Sequence, residues 1–342
     1  MKLNRIISKS VVTFLLVLLS SNLSFAQSKV GTTAVPFLGI SIGPRAMAMG
    51  GAFVAVSDDP TSLYYNPGGF SRSGNSQFMF ARTNWLVETK LNWLGFMFNL
   101  DGTNAFGMSF TMLDYGEEDV TTVLVPEGTG EKWSAADIAI GLSYARNLTD
   151  RFSIGGSVKY IQEEILNESA SAFAIDVGLL FITQFNDMRL GMSISNFGTD
   201  MKMEGRDLLH RIDPDPETLG DNETIVANLK TDSWPLPLFF RVGLAMDIVK
   251  TEFTRFTVAV DAFRPSDNTE IINTGCEFAL NNWVFLRAGY KSLFREDSEE
   301  GLTFGAGLNY DFSPGRTFSI DYCFMDFGLF EDIHTFSVRG GF

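Results

Sequence analysis

"FAIDVGLLF", residues Phe173–Phe181, is the stretch on which the fold turns. Phe173, Ile175, Val177, Leu179 and Phe181 fall on one face, and Ala174, Asp176 and Gly178 on the other. Side chains alternate across a strand, so a period of two with one greasy face marks a β-strand. The pattern recurs. Phe106, Met108, Phe110 and Met112 alternate with Gly107, Ser109 and Thr111; Leu302, Phe304, Ala306, Leu308 and Tyr310 alternate with Thr303, Gly305, Gly307 and Asn309. Fourteen such segments are expected, at about 76–87, 89–100, 104–116, 134–148, 152–166, 171–184, 188–197, 236–249, 253–264, 270–280, 283–293, 301–312, 317–327 and 333–342.

A water-soluble sandwich would alternate too, so strand length and connections decide. Sandwich strands run to about five or six residues, whereas a tilted membrane strand needs about nine to eleven. Most segments here reach the longer figure. Connections after even-numbered strands are tight, as at Asp101-Gly102-Thr103, Thr149-Asp150, Asn186-Asp187, Asn281-Asn282 and Ser313–Arg316. Most of those after odd-numbered strands are longer and acidic, notably Glu117–Trp133, Thr199–Pro235 and Arg295–Glu300. Short periplasmic turns and long extracellular loops are the asymmetry of an outer-membrane barrel. The reading is all-β: a transmembrane antiparallel β-barrel of about fourteen strands, spanning residues 76–342.

The amino end agrees with export. Lys2, Arg5 and Lys9 precede the apolar run Val11–Leu19, and Ser24-Phe25-Ala26 sets small residues before an expected cut ahead of Gln27. That is a signal-peptide layout over residues 1–26, with an apolar core too short to span a bilayer as a helix. Without it the chain keeps 23 basic and 41 acidic residues, a net charge of −18. So acidic a chain is unsuited to nucleic acid. At the other end His334, Phe336, Val338, Gly340 and Phe342 share a face. A terminal aromatic closing an alternating strand resembles the signal read by bacterial barrel-assembly machinery, carried here by Phe336, Val338, Gly340 and Phe342.

Between leader and first strand lies "GPRAMAMGGAFVAVSDDPTSLYYNPGGFSR", Gly43–Arg72, with neither a helical nor a long alternating period. Fourteen strands enclose more space than wall side chains fill, since about eight is the size they just fill. Glycines permit tight or left-handed backbone and prolines fix turns without a donor. Residues 27–75 are therefore expected to form a plug in the lumen, entering from the periplasmic mouth and held by Arg45 and by Asn66-Pro67.

The pattern Gly43-Pro44-Arg45-Ala46, Met49-Gly50-Gly51-Ala52-Phe53-Val54-Ala55, Asp58-Asp59 and Tyr64-Tyr65-Asn66-Pro67-Gly68-Gly69 resembles the PorV/PorQ family, whose members are similar to the fatty-acid transporter FadL. Gly68 departs from the alanine usual there. The resemblance implies a fourteen-strand barrel with an N-terminal hatch, its motif falling on Gly43, Arg45, Gly50, Gly51, Asp58, Asp59, Asn66, Pro67 and Gly68. It also implies one of two tasks: a component of type IX secretion binding exported polypeptides or a secretion partner, or passage of hydrophobic small molecules. The expected surroundings are outer-membrane lipid and lipopolysaccharide.

No enzyme motif occurs: neither Gly-x-Ser-x-Gly, His-Glu-x-x-His nor a phosphate loop. No catalytic residue, metal or cofactor is expected. Asp213–Glu217 lacks the glycine of a calcium loop. His210 and His334 have no obvious partner, and Cys276 and Cys323 are expected on opposite faces, unbridged. Lys159, Asp176, Arg189, Arg241, Asp247, Arg255, Asp261, Glu277, Arg287, Lys291, Asp311, Asp321 and Arg339 are expected inside, a mixed-sign set suited to bracing the lumen. Trp93, Met97 and Trp133 are alternatives for an apolar pocket or for wall packing. The loop Thr199–Pro235 holds nine acidic residues against four basic, with an apolar stretch Thr224–Leu229 suited to a protein contact.

Overall fold

A computed structural model describes residues 29–213, 217, 225–295, 298–313 and 315–342. The expected leader lies outside the described residues, as does most of the acidic run after Asp213. Fourteen strands form the wall: β1 (Gln77–Asn84), β2 (Lys90–Asn99), β3 (Asn104–Asp119), β4 (Lys132–Asn147), β5 (Phe152–Ile165), β6 (Glu168–Ile182), β7 (Arg189–Gly198), β8 (Phe239–Lys250), β9 (Thr254–Pro265), β10 (Ile271–Leu280), β11 (Val284–Leu293), β12 (Leu302–Ser313), β13 (Arg316–Met325) and β14 (Ile333–Gly341). Each is antiparallel to its neighbours, and β14 returns to β1, from Gln77↔Gly341 to Asn84↔His334. A closed ladder leaves no edge strand, the condition for spanning lipid with strands.

The two faces sort as their side chains dictate. Along β6, Phe173, Ile175 and Val177 are exposed on the outer surface, while Ala172, Ala174 and Asp176 are buried inside. Phe304, Leu308, Phe336 and Val338 repeat the outward pattern on β12 and β14. Phe342 follows the last strand and lies 6.5 Å from Phe98; Phe96 and Phe78 continue the aromatic row across the seam where β14 meets β1. Gly340 is covered by Phe78, which stands where its side chain would be.

One end of the barrel carries the short turns after even-numbered strands. The opposite end carries the longest connections, although β5 and β6 extend far enough to be joined there by Leu166-Asn167 alone, and β1–β2 and β9–β10 are joined by five residues each. The longest connection, between β7 and β8, contains a hairpin pairing Leu209–Ile212 with Ile225–Asn228 and a two-residue pairing of Met201–Lys202 with Ser233–Trp234.

Asp311 keeps the inward register of Asn309, whose Nδ2 donates to its Oδ1 at 3.2 Å, and lies exposed at the short-turn mouth. Two expectations need correcting. His334 does have a partner, the Tyr322 hydroxyl 2.8 Å from Nδ1, on the next strand. Most consequentially, the segment before β1 does not begin at the short-turn mouth. Arg72 donates there, to the carbonyls of Thr149 and Asp150, but Val35 donates to Glu163 Oε1 near the far end of β5. The segment runs between the two ends. Both cysteines are free, Cys323 buried inside and Cys276 half-buried on the opposite, outward-pointing register of β10.

Candidate functional site

The site is built from residues 36–72, almost all buried within the ring of strands. Two short helices, α1 (Pro44–Ala48) and α2 (Ser62–Tyr65), are joined by turns because glycine and proline interrupt any longer period. Pro44 opens α1 from Gly43, where a missing amide costs nothing. Gly50 closes the following turn at φ 65°, and a Cβ there would stand 2.7 Å from the Thr274 and Tyr290 carbonyl oxygens. Only glycine satisfies both the left-handed backbone and that approach.

The wall answers with glycines of its own. A Cβ on Gly178 would meet Asn66 Oδ1, and one on Gly155 would meet the Pro67 carbonyl. The same holds for Gly191 against Val54, Gly275 against Met49 and Gly305 against Ala48. Inward glycines on five strands thus receive the backbone of the segment from opposite sides.

Polar groups complete the seating. Asn66 Nδ2 donates to Val54 O at 2.8 Å and Leu179 O at 2.9 Å, while its Oδ1 accepts from Gly68 N at 3.0 Å. Pro67 follows it against the wall. Asp261 Oδ2 accepts from the amides of Phe53 and Val54 at 2.7 and 2.8 Å. Thr303 Oγ1 accepts from Gly50 N and donates to Ala48 O. Each satisfies a backbone group that helix and sheet leave over.

Arg45 is the centre of charge. Its Nε and Nη2 reach the two oxygens of Glu277 at 2.8 and 3.0 Å, and its Nη1 reaches Asp58 and Asp59. Glu277 on β10 also accepts from Arg255 at 3.0 Å and Arg287 at 2.7 Å; Arg287 passes on to Asp321 at 2.6 Å. Arg339 lies 3.8 Å from Asp59. Four guanidinium groups therefore face four carboxylates, a neutral cluster that ties the segment to β9, β10, β11, β13 and β14. On the other side Arg241 lies over the rings of Phe263, Phe239, Tyr64 and Tyr65 at 4.6, 5.1, 5.2 and 5.9 Å, holding α2 against β8 by cation–π attraction.

Every residue of the expected hatch motif falls in this segment. The sequence missed the hub role of Glu277, which stood as one of thirteen inner charges, and missed the Arg241 cage. Lys159–Asp176 and Arg189–Asp247 brace the wall as a mixed-sign lining should. Trp93 and Met97 pack inward against the segment, whereas Trp133 is half-exposed at the long-loop end. Among the described residues no group of His, Cys, Asp or Glu could hold a metal ion.

Spaces remain beside the segment. An enclosed cavity of about 30 Å³ adjoins Leu63, Tyr64 and Trp93, with room for a water or two. A vestibule of about 250 Å³ opens at the long-loop end; Trp85, Phe239 and Phe263 line it, with Lys291 and Arg295 also among its walls.

The family described as Type IX secretion system protein PorV matches residues 23–209, more than half of the chain. The chain belongs to that PorV family. No curated protein matches it in sequence. Among solved structures, the CymD monoaromatic hydrocarbon channel superposes with a TM-score of 0.55 at 12% identity, over 88% of this chain and 98% of that one. The Pseudomonas putida toluene transporter TodX follows with a TM-score of 0.51 at 15% identity, over 88% and 97%. At such identities the likeness speaks for the FadL-like barrel fold. Family and fold are those of outer-membrane secretion and transport barrels, and this PorV-family chain is an outer-membrane protein.

Proposed function

We propose that this PorV-family barrel works in type IX secretion as a binding component, receiving an exported polypeptide or a machinery partner on its long loops. In this reading residues 1–26 are a cleaved leader, 27–75 a hatch and 76–342 the barrel. The short turns face the periplasm and the long loops the cell exterior, with lipid and lipopolysaccharide around the wall. The observation that carries it is the seating of the hatch. Glycine-to-backbone contacts on opposite walls and a neutral cluster of four Arg and four carboxylates make the lumen a filled core. A filled core suits a molecule whose surface does the work. The longest loop exposes Leu209, Ile212, Val226, Leu229 and Trp234 amid acidic residues, and an apolar patch rimmed by polar groups is a usual mark of a protein contact.

Passage of hydrophobic small molecules is the second reading. It rests on the aromatic side chains of the vestibule, Trp85, Phe239 and Phe263, and on the likeness to two proteins named as a hydrocarbon channel and a toluene transporter. One experiment separates them. Residues 209–228 can be deleted at a point where Leu209 and Asn228 already face each other across the hairpin. In native outer membranes the deleted chain should remain a heat-modifiable barrel and lose the partner that copurifies with the full chain. Retained copurification with altered uptake of aromatic hydrocarbons favours passage instead.

A further inference from the structure

We infer that the chain is threaded through its own barrel, so that its amino-terminal strap is displayed among the long loops rather than in the periplasm. The polar contacts of residues 33–72 are a depth gauge. Thr33 Oγ1 donates to Asp267 Oδ2 at 2.9 Å, in the connection between β9 and β10 at the long-loop end. Ala34 N donates to the Pro235 carbonyl at 3.0 Å, in the longest loop. Val35 N donates to Glu163 Oε1 at 3.0 Å, two residues from the long-loop end of β5. Gly50 then meets Thr303, one residue from the long-loop end of β12, and Val54 meets Asp261, four residues from that end of β9. Asn66 reaches Leu179, three residues from the short-turn end of β6. Ser71 Oγ donates to Asn147 Oδ1 at 2.8 Å, the last residue of β4, and Arg72 ends on the Thr149–Asp150 turn. The order is continuous from one mouth to the other, and Phe342 lies beside Ser76 at the short-turn mouth. Lys29, where the described residues begin, and Phe342 are therefore on opposite faces.

The strap differs from the hatch that follows it. Residues 36–72 are clamped by buried charge on both sides, whereas Thr33 and Ala34 are held by single hydrogen bonds to loops before Val35 enters the core. Lys29 and Val30 are exposed. A groove of about 530 Å³ runs beside the strap, between Ala34 and Val35 on one side and Met201, Met203 and Trp234 on the other. Strap and groove thereby join the surface assigned to partner binding.

That this face is the cell exterior rests on the orientation proposed above, and native lysines test both statements separately. Lys29 is exposed on the strap, Lys230 on the longest loop and Lys250 at the short-turn end of β8. Intact cells are treated with a membrane-impermeant sulfonated succinimidyl ester, the barrel is isolated, and acylation of each lysine is read by peptide mass spectrometry. Outer-membrane fragments open on both sides serve as the fully labelled reference. Lys29 and Lys230 should acylate on intact cells, each to at least ten times the fraction seen at Lys250. If Lys29 stays unlabelled with Lys250 while Lys230 reacts, the threading is wrong and the orientation stands. If Lys250 reacts and both Lys29 and Lys230 do not, the orientation is inverted and the threading stands.

Discussion

Arg45 and Glu277 show what one residue pair decides. A buried ion pair gains little net stability over an apolar pair, but removing one partner strands the other, at a cost of about 3–5 kcal/mol. Arg45→Met leaves Glu277, Asp58 and Asp59 facing three remaining guanidinium groups. It should destabilise the barrel by that amount, read as a lower urea midpoint for loss of heat-modifiability. Glu277→Gln should cost a similar amount, and the double variant less than the sum of the two, because the residues share one network. Arg45→Lys keeps the charge and loses the two-pronged contact, so it should fall between. A double variant as damaged as the sum would show that the two side chains act apart. The glycines carry a steric counterpart. Gly178→Val places a branched side chain where Asn66 Oδ1 and Pro67 Cδ now lie, so the hatch should fail to seat while the strands still form. Limited proteolysis in detergent micelles should then cut within residues 43–72, which are shielded in the parent.

At the scale of elements, the strands were legible because alternation is a property of neighbours in the chain. Phe173–Phe181 announces its two faces without reference to any other strand, and β6 is found there, with the inward and outward residues expected. Register shifts depend on the partner strand, so the one after Asp311 could not be read from β12 alone. That Gly43–Arg72 is compact and apolar was readable, yet the direction in which it runs was not, because no local rule says which mouth residue 35 occupies. Glu163 and Asp267, which fix that end, lie 128 and 234 residues away. The last strand makes its own prediction. Phe342 reaches Phe98 across the β14–β1 seam, so Phe342→Ser removes both a terminal aromatic and the end of an aromatic row. The fraction of chain recovered as folded barrel in outer membranes should fall several-fold, with little change in the urea midpoint of what does fold. The loop between β11 and β12 supplies a pH dependence. Burial pushes the Glu300 carboxyl up, but the Lys291 ammonium at 2.6 Å and the Ser292 hydroxyl at 2.9 Å outweigh it and hold the group below the usual carboxylate range. A depressed folded-state value means stability that is present above the unfolded-state pKa, about 4.3, and lost as pH falls through the folded-state value. Exchange of the Lys291 amide, which donates to Gly301 O at 2.9 Å, should therefore accelerate beyond the intrinsic trend below about pH 4. Lys291→Met should remove that acid-dependent step.

For the whole molecule the question is whether the filled lumen ever empties, and its two ends offer a direct test. Ser71 Oγ and Asn147 Oδ1 touch at the short-turn mouth, 2.8 Å apart; Thr33 Oγ1 and Asp267 Oδ2 touch at the long-loop mouth, 2.9 Å apart. With Cys276→Ala and Cys323→Ala as background, Ser71→Cys/Asn147→Cys and Thr33→Cys/Asp267→Cys provide one tether at each mouth. Because a single segment spans both mouths, both bridges should form in the same molecule on mild oxidation, visible as two discrete mobility shifts that combine in the quadruple variant. A doubly tethered hatch can neither leave nor turn over. A binding component presents its loops regardless, so copurification of its partner should match that of the reduced protein within about twofold, a free-energy change of about 0.4 kcal/mol, well under the 1.4 kcal/mol of a tenfold effect. A conduit that needs hatch displacement should instead lose uptake on oxidation and regain it with dithiothreitol. Redox-reversible uptake of an aromatic hydrocarbon would overturn the binding-component reading, because a hatch that must move for function cannot be the fixed core that carries it.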